Sequence, residues 1–315
     1  MSCLVSRVAR IGLVALLAAP AANAFSPGRA GFEVRVRGET ISLEVMAIFA
    51  LPGETLEIGL VSATAGEDFR LQAAAGEVSR DAPENWRWQA PVEAGVYPLH
   101  LSRLATGEAM TLNVFVLVPY GEVEGGSLGR YEIGAYPAMP FRGLPEYRPP
   151  RGFVKVSREN LDVRLSPHFT LRQFVCKQVG EFPKYVTLRE RLLLKLERLL
   201  EELNAGGHTA ETFFIMSGYR TPAYNRAIHN VSNSRHIYGD AADIFVDEDG
   251  NSRMDDLTGD GRVDLEDVDV LRRIVENMTD KPWYGPFSGG LGRYDAKPHR
   301  GPFLHVDTRG YRARW

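Results

Sequence analysis

Cysteine is scarce in this chain, with Cys3 and Cys176 the two present in 315 residues. So sparse a supply excludes a disulfide framework, and the fold must rest on its apolar core. Cys176, in Gln173-Phe174-Val175-Cys176, reads as a small buried apolar residue rather than a reactive thiol. Charge of one sign is lacking too: 37 Lys and Arg face 40 Asp and Glu, a net −3 with the basic residues scattered. That balance argues against a nucleic-acid partner. Long hydrophobic runs are missing after the first two dozen residues, so no membrane span is expected beyond them. Before that point, Arg7 and Arg10 precede the apolar run Ile11 to Ala19, which ends at the small residues Ala22-Asn23-Ala24. This predicts a cleaved secretory signal over residues 1–24 and an exported, periplasmic protein. No cysteine follows the run to suggest a lipid anchor.

What is present falls into three stretches. Over 25–120, segments rich in β-branched and aromatic residues predict strands at Phe32–Val36, Ile41–Phe49, Thr55–Val61, Gly95–Leu101 and Met110–Val118. Strands so spaced, without helices between them, predict a small all-β sandwich of immunoglobulin-like architecture. It holds no catalytic constellation and reads as a spacer or as a docking module for a protein partner. Over 121–152, Pro137, Pro140, Pro145, Pro149 and Pro150 among several glycines predict an extended, semi-rigid linker. Its aromatics Tyr131, Tyr136, Phe141 and Tyr147 offer means of pinning it to a neighbouring unit. Over 153–315 the pattern is α+β. Leu188, Leu192, Leu196, Leu199 and Leu203 form a helical stripe, and short apolar runs at Phe213–Met216, Ala241–Val246 and Phe303–Asp307 predict strands.

The chemistry concentrates in that last stretch. Ser234-Arg235-His236-Ile237-Tyr238-Gly239-Asp240-Ala241-Ala242-Asp243 and the later Phe303-Leu304-His305-Val306-Asp307 offer two imidazoles and a carboxylate. His236, Asp243 and His305 thereby give the ligand count of a catalytic zinc that keeps one position open. Gly239 permits the tight turn between the first two. Each residue alone reads as a satisfied polar group at a strand end; the three together point to metal. Upstream lies Ser217-Gly218-Tyr219-Arg220-Thr221-Pro222.

With these segments in this order, residues from about 150 to 315 resemble the zinc D-alanyl-D-alanine carboxypeptidases, the vancomycin-resistance D,D-dipeptidases and the related murein endopeptidases. The tail, with Gly289-Gly290-Leu291-Gly292 and the closing Arg314-Trp315, resembles the endopeptidase branch most. The resemblance implies an α+β zinc peptidase acting on peptidoglycan peptides. It places Arg220 in the active site, where a guanidinium can stabilise a developing oxyanion. Ser234 and Tyr219 become candidates for substrate binding or for shaping the pocket, and Asn225 for bracing it. One departure stands out. Several relatives have Glu or His two or three residues before the last zinc ligand, where this chain has Pro302 and Phe303. Asp307 and His299 are the candidate proton acceptors in their place, Asp307 having orientation of a ligand as its other role.

An acidic insertion at 247–278 adds a second metal expectation. Asp256, Thr258, Asp260, Arg262 (through its carbonyl), Asp264 and Asp267 fall at the spacing of an EF-hand-type calcium loop, with Gly261 at its sixth position. The preceding Asp247–Asp255 segment resembles a degenerate partner loop. A solvated acidic turn capping a helix is the alternative, but the match at nearly every loop position favours a structural calcium. Two functional readings compete for the whole: an exported peptidoglycan peptidase, endopeptidase before carboxypeptidase, and a non-catalytic wall-binding scaffold that keeps the zinc fold. A peptidase of the same fold acting on another peptide is a third.

Overall fold

A computed structural model describes residues 25–61 and 67–315, and the predicted signal segment lies outside the described residues. From Arg29 to Val116 the regular structure is all strand: β1 (Arg29–Val36), β2 (Glu39–Leu43), β3 (Val45–Ala50), β4 (Thr55–Leu60), β5 (Phe69–Ala73), β6 (Glu77–Ala82), β7 (Asn85–Gln89), β8 (Gly95–Arg103) and β9 (Ala109–Val116). Two sheets result, ordered β2-β1-β4-β7-β6 and β3-β9-β8-β5. Val34, Ile58 and Trp88 from one, with Leu99, Leu101 and Leu112 from the other, are buried in the shared core. The single strand expected over Ile41–Phe49 is divided at Glu44, where the chain leaves one sheet for the other. β3 then pairs in parallel with β9. Its run Met46–Ala50 is buried throughout, as a strand covered on both faces requires.

The rest is a mixed α/β unit, mostly sheet. Short strands β10 (Val118–Pro119), β11 (Ser127–Leu128), β12 (Tyr131–Glu132), β13 (Gly152–Val156), β14 (Arg164–Ser166), β15 (Phe169–Thr170) and β16 (Lys184–Val186) lead to helix α1 (Glu190–Ala205). Then follow β17 (Phe214–Ser217), α2 (Pro222–Ala227), β18 (Ala241–Phe245), α3 (Leu265–Thr279), β19 (Gly290–Tyr294), β20 (Phe303–Asp307) and β21 (Ala313–Arg314). Leu192, Leu196, Leu199 and Leu203 lie on one face of α1 and are fully buried, as their i, i+4, i+7 spacing dictates. The central sheet runs β17-β18-β20-β19-β21 and carries the chemistry.

Residues 121–152 lie against this unit. Tyr131, Tyr136 and Tyr147 are buried, and the Tyr136 hydroxyl donates to the Ile237 carbonyl at 2.9 Å. The β-unit is joined as closely. β3 packs on β14 and α1, the Phe49 amide donates to Glu190 Oε1 at 3.1 Å, and Arg29–Glu201 and Arg191–Glu39 ion pairs cross the seam.

Candidate active site

Strand register brings the site together. Asp243 on β18 stands directly opposite His305 on β20, and Ser217 on β17 stands opposite Asp243. Paired residues project from the same face with their Cβ atoms about 5 Å apart, so the ladder alone sets two of the three candidate ligands side by side. His236 comes from a 3-10 turn, Arg235–Tyr238, that ends at Gly239 with φ +73°. A Cβ on Gly239 would overlap the Thr187 carbonyl oxygen, so both the left-handed backbone and the close approach demand glycine.

The donor atoms converge. His236 Nε2 lies 3.2 Å from Asp243 Oδ1 and 3.2 Å from His305 Nδ1, and His305 Nδ1 lies 2.8 Å from Asp243 Oδ1. Each imidazole's outer nitrogen is turned to an acceptor. His236 Nδ1 donates to the Gly218 carbonyl at 2.7 Å, and His305 Nε2 to Asp307 Oδ2 at 3.1 Å. Those bonds place the protons of the outer nitrogens and leave each inner nitrogen to meet the Asp243 carboxylate, across a proton on His305 in the metal-free protein or across a cation held among the three. A tetrahedral zinc with bonds of about 2.0–2.1 Å spaces its ligand atoms about 3.3 Å apart, so these residues fit that ion. Burial holds the His236 pKa below its ordinary value. At His305 burial acts in the same direction, but the bonds to Asp243 and Asp307 prevail and raise it to about 9. Burial acts to raise the Asp243 pKa, but the two imidazoles outweigh it and keep that carboxyl well below the usual range.

Arg220 completes the inner group. Its Nη2 donates to Asp243 Oδ2 at 2.6 Å and its Nε to Ser217 Oγ at 2.7 Å. The guanidinium thus orients the carboxylate that the imidazoles face, a contact that the sequence does not reveal. Arg220 and Ser234, with the three candidate ligands, line a cavity of about 500 Å³ whose far wall is Tyr294, Phe303 and Trp315. Trp315 reaches His305, ring centroids 5.2 Å apart, because the residue paired with His305 on β19 is Gly292; a Cβ there would strike the indole.

For Asp307 and Tyr219 the geometry favours one of the two roles open to each. Asp307 is fully buried and stands behind His305. Its carboxylate accepts from His305, from the Gly290 amide at 2.7 Å and from Arg309 at 2.5 Å. With its lone pairs so engaged it holds a ring rather than taking a proton from water. Tyr219 is 1 % exposed, its hydroxyl 3.4 Å from that of Tyr136 and its ring beside Phe153. It braces the wall of the cavity beside Arg220. Asn225, likewise buried, donates to the Val231 carbonyl at 2.9 Å and ties down the loop before Ser234. His299 is exposed and lines a second cavity that shares Arg220 with the first.

In the acidic insertion the expected loop residues bond to neighbouring amides. Asp256 accepts from the amides of Gly259 and Gly261, both at 2.7 Å, and Asp260 from that of Arg262 at 2.9 Å. Asp267 is fully buried and accepts from the amides of Leu257 at 2.8 Å and Asp264 at 2.9 Å, capping α3 together with Asp264. Thr258 donates to Asp256. Among the described residues, the acidic group that does gather is Asp247, Asp249 and Asp255, one loop earlier.

Residues 167–260 match the family model described as Peptidase M15. The match takes in Arg220, His236 and Asp243; His305 lies beyond it and is brought in by the pairing of β20 with β18. No curated protein matches the chain.

Proposed function

From the match of residues 167–260 to the Peptidase M15 family, we propose that this protein is an exported zinc enzyme cutting peptide bonds within peptidoglycan cross-links, an endopeptidase rather than a carboxypeptidase. The observation that carries the reading is the convergence of one potential ligand atom each from His236, Asp243 and His305, at 2.8–3.2 Å from one another. Zinc held there would acidify water and polarise a peptide carbonyl. The chain's own residues supply the rest. Arg220 fixes Asp243 and presents positive charge between the two cavities, where it can hold a substrate carbonyl as it gains charge. Ser234, on the loop before His236, faces the same space and is placed to hydrogen-bond the peptide. With Asp307 occupied, His299 is the candidate proton acceptor, and the two cavities meeting at Arg220 favour a substrate extending to both sides of the cut.

The β-unit, which we read as immunoglobulin-like, would serve as a fixed support and docking face. Calcium enters the proposal as a structural ion of the 247–278 insertion, supported by the spacing of its acidic residues. A calcium-dependent rise in Tm that Asp256→Ala abolishes would be its test. Pro302 and Phe303, which cannot move a proton, favour a second reading of the whole, a wall-binding scaffold.

Digestion of purified cross-linked peptidoglycan, with and without added zinc and with products identified by mass spectrometry, separates these readings. Loss of cross-linked dimers, abolished by chelation and by His236→Ala or His305→Ala, is the expected result. Release of terminal D-alanine alone would make the enzyme a carboxypeptidase. Zinc bound stoichiometrically without any cleavage would favour the scaffold.

A further inference from the structure

The second cavity, of about 370 Å³, adjoins the metal-ligand cavity through Arg220 and has an unusual lining. Its charged groups are cations, Lys177, Arg220 and Arg300, with His299 beside them, and no aspartate or glutamate lines it. Among the described residues, neither Lys177 nor Arg300 has a carboxylate within ion-pair distance, whereas Arg220 is bonded to Asp243. Arg300 is instead held over the faces of Phe303 and Tyr294, 4.5 and 5.7 Å from their centroids, and its Nη1 donates to the Asp295 carbonyl. Partial burial and the neighbouring Arg220 charge push the Lys177 pKa down, against the opposing pull of the Asp243 charge. The same lining includes the aliphatic Val175, Ile215, Met216 and Ile228 beside polar Gln173 and Ser217.

Lys177 and Arg300, gathered beside Arg220 without a carboxylate partner of their own, cost free energy that an incoming anion would recover. Cationic and aliphatic side chains in one cavity select a ligand with both characters. We propose that this cavity is a carboxylate subsite, binding a stem-peptide residue whose free carboxylate meets Lys177 and Arg300 while its aliphatic part rests on Ile215 and Met216. The inference rests on the peptidase reading above and deepens it. The substrate would be an acidic stem peptide, and a peptide with that carboxylate amidated would be discriminated against. Specificity would thus come from a charge remote from the cut, on residues outside the metal triad.

Binding, not turnover, tests this. Acid and amide forms of one cross-linked stem peptide, with the cross-linking amide reduced so that it cannot be cleaved, are titrated into the zinc-loaded protein and followed by fluorescence anisotropy. The acid form is expected to bind about tenfold more tightly than the amide, the scale of one charge-assisted hydrogen bond, with the difference shrinking as salt rises. Lys177→Met should remove most of that preference and Lys177→Arg should keep it; Arg300→Gln, tested separately, guards against a Lys177 variant that misfolds. Equal affinity for acid and amide in the unaltered protein would overturn the proposal, as would a preference that persists through both Lys177→Met and Arg300→Gln. Because the peptide is not cleaved, this outcome is independent of the digestion above: failure to cut peptidoglycan would sink the peptidase reading and leave the acid-to-amide comparison to decide the subsite.

Discussion

His305 uses its two nitrogens for different tasks, one toward the ligand triangle and one toward Asp307, and the partner behind it is what makes the front useful. Asp307→Asn should therefore lower zinc affinity about 10–100-fold, read by competition with a chelator, since an amide holds the ring tautomer less firmly. A variant that bound zinc normally and lost only kcat would instead make Asp307 a proton acceptor. A second support lies below. Lys195, fully buried on α1, donates to the carbonyls of Asp307 at 2.8 Å and Phe287 at 3.0 Å, and burial pushes its pKa down to about 8. Lys195→Met would leave those carbonyls without their donor and should cost about 1–3 kcal/mol in denaturant unfolding. The candidate ligands were readable from residue type and spacing, because two imidazoles and a carboxylate near one glycine turn have few other uses. The Arg220–Asp243 bond was not, because linear spacing does not say which way a guanidinium turns. Asp307 was ambiguous for a related reason: two residues after His305 on a strand places it on the same face, without saying which ring nitrogen it meets.

Among the elements, the turn at Gly239 and the β18–β20 ladder fix the ligand positions. Gly239→Ala forces both a left-handed backbone and an overlap with Thr187, so a loss above about 2 kcal/mol and a fall in zinc occupancy are expected, measured by thermal unfolding and metal analysis. The leucine stripe of α1 and the apolar runs of β18 and β20 were legible because each buries an unbroken face. Strands β5 to β7 were not anticipated. β6 is polar and exposed along nearly its whole length, so its pairing with β7 comes from the sheet and not from an apolar pattern. In β7 the alternation of Trp86 and Trp88 with exposed polar residues was a signal that could have been read. The proline content of 121–152 speaks of extension. Only its tyrosines hint that the segment lies on the mixed α/β unit, where the Arg235 guanidinium stands 4.2 Å from the Tyr147 ring centroid.

Across the whole molecule, the seam between the two units contains a pH-sensitive contact. His168 Nδ1 lies 2.6 Å from Glu197 Oε2 and its Nε2 lies 3.0 Å from the Ser26 carbonyl, so a protonated ring satisfies both acceptors. Burial opposes that charge, but Glu197 outweighs it and raises the pKa above its ordinary value. The stabilisation is therefore complete below about pH 6.5 and lost as pH rises through the higher folded value. Tm should decline over that range, and His168→Gln should flatten the decline. The division into a strand-rich and a mixed region could be drawn from composition. How firmly the two are joined could not, since Met46, Ile48 and Phe49 read as the interior of one sheet although β3 also packs on β14 and α1. That shared strand has an evolutionary consequence. Units separated by a loose tether can be exchanged between genes like beads on a string. Here a recombination event within 121–152 would remove one wall of each partner's interior, so the β-unit and the mixed unit should be inherited together, their seam residues changing in step.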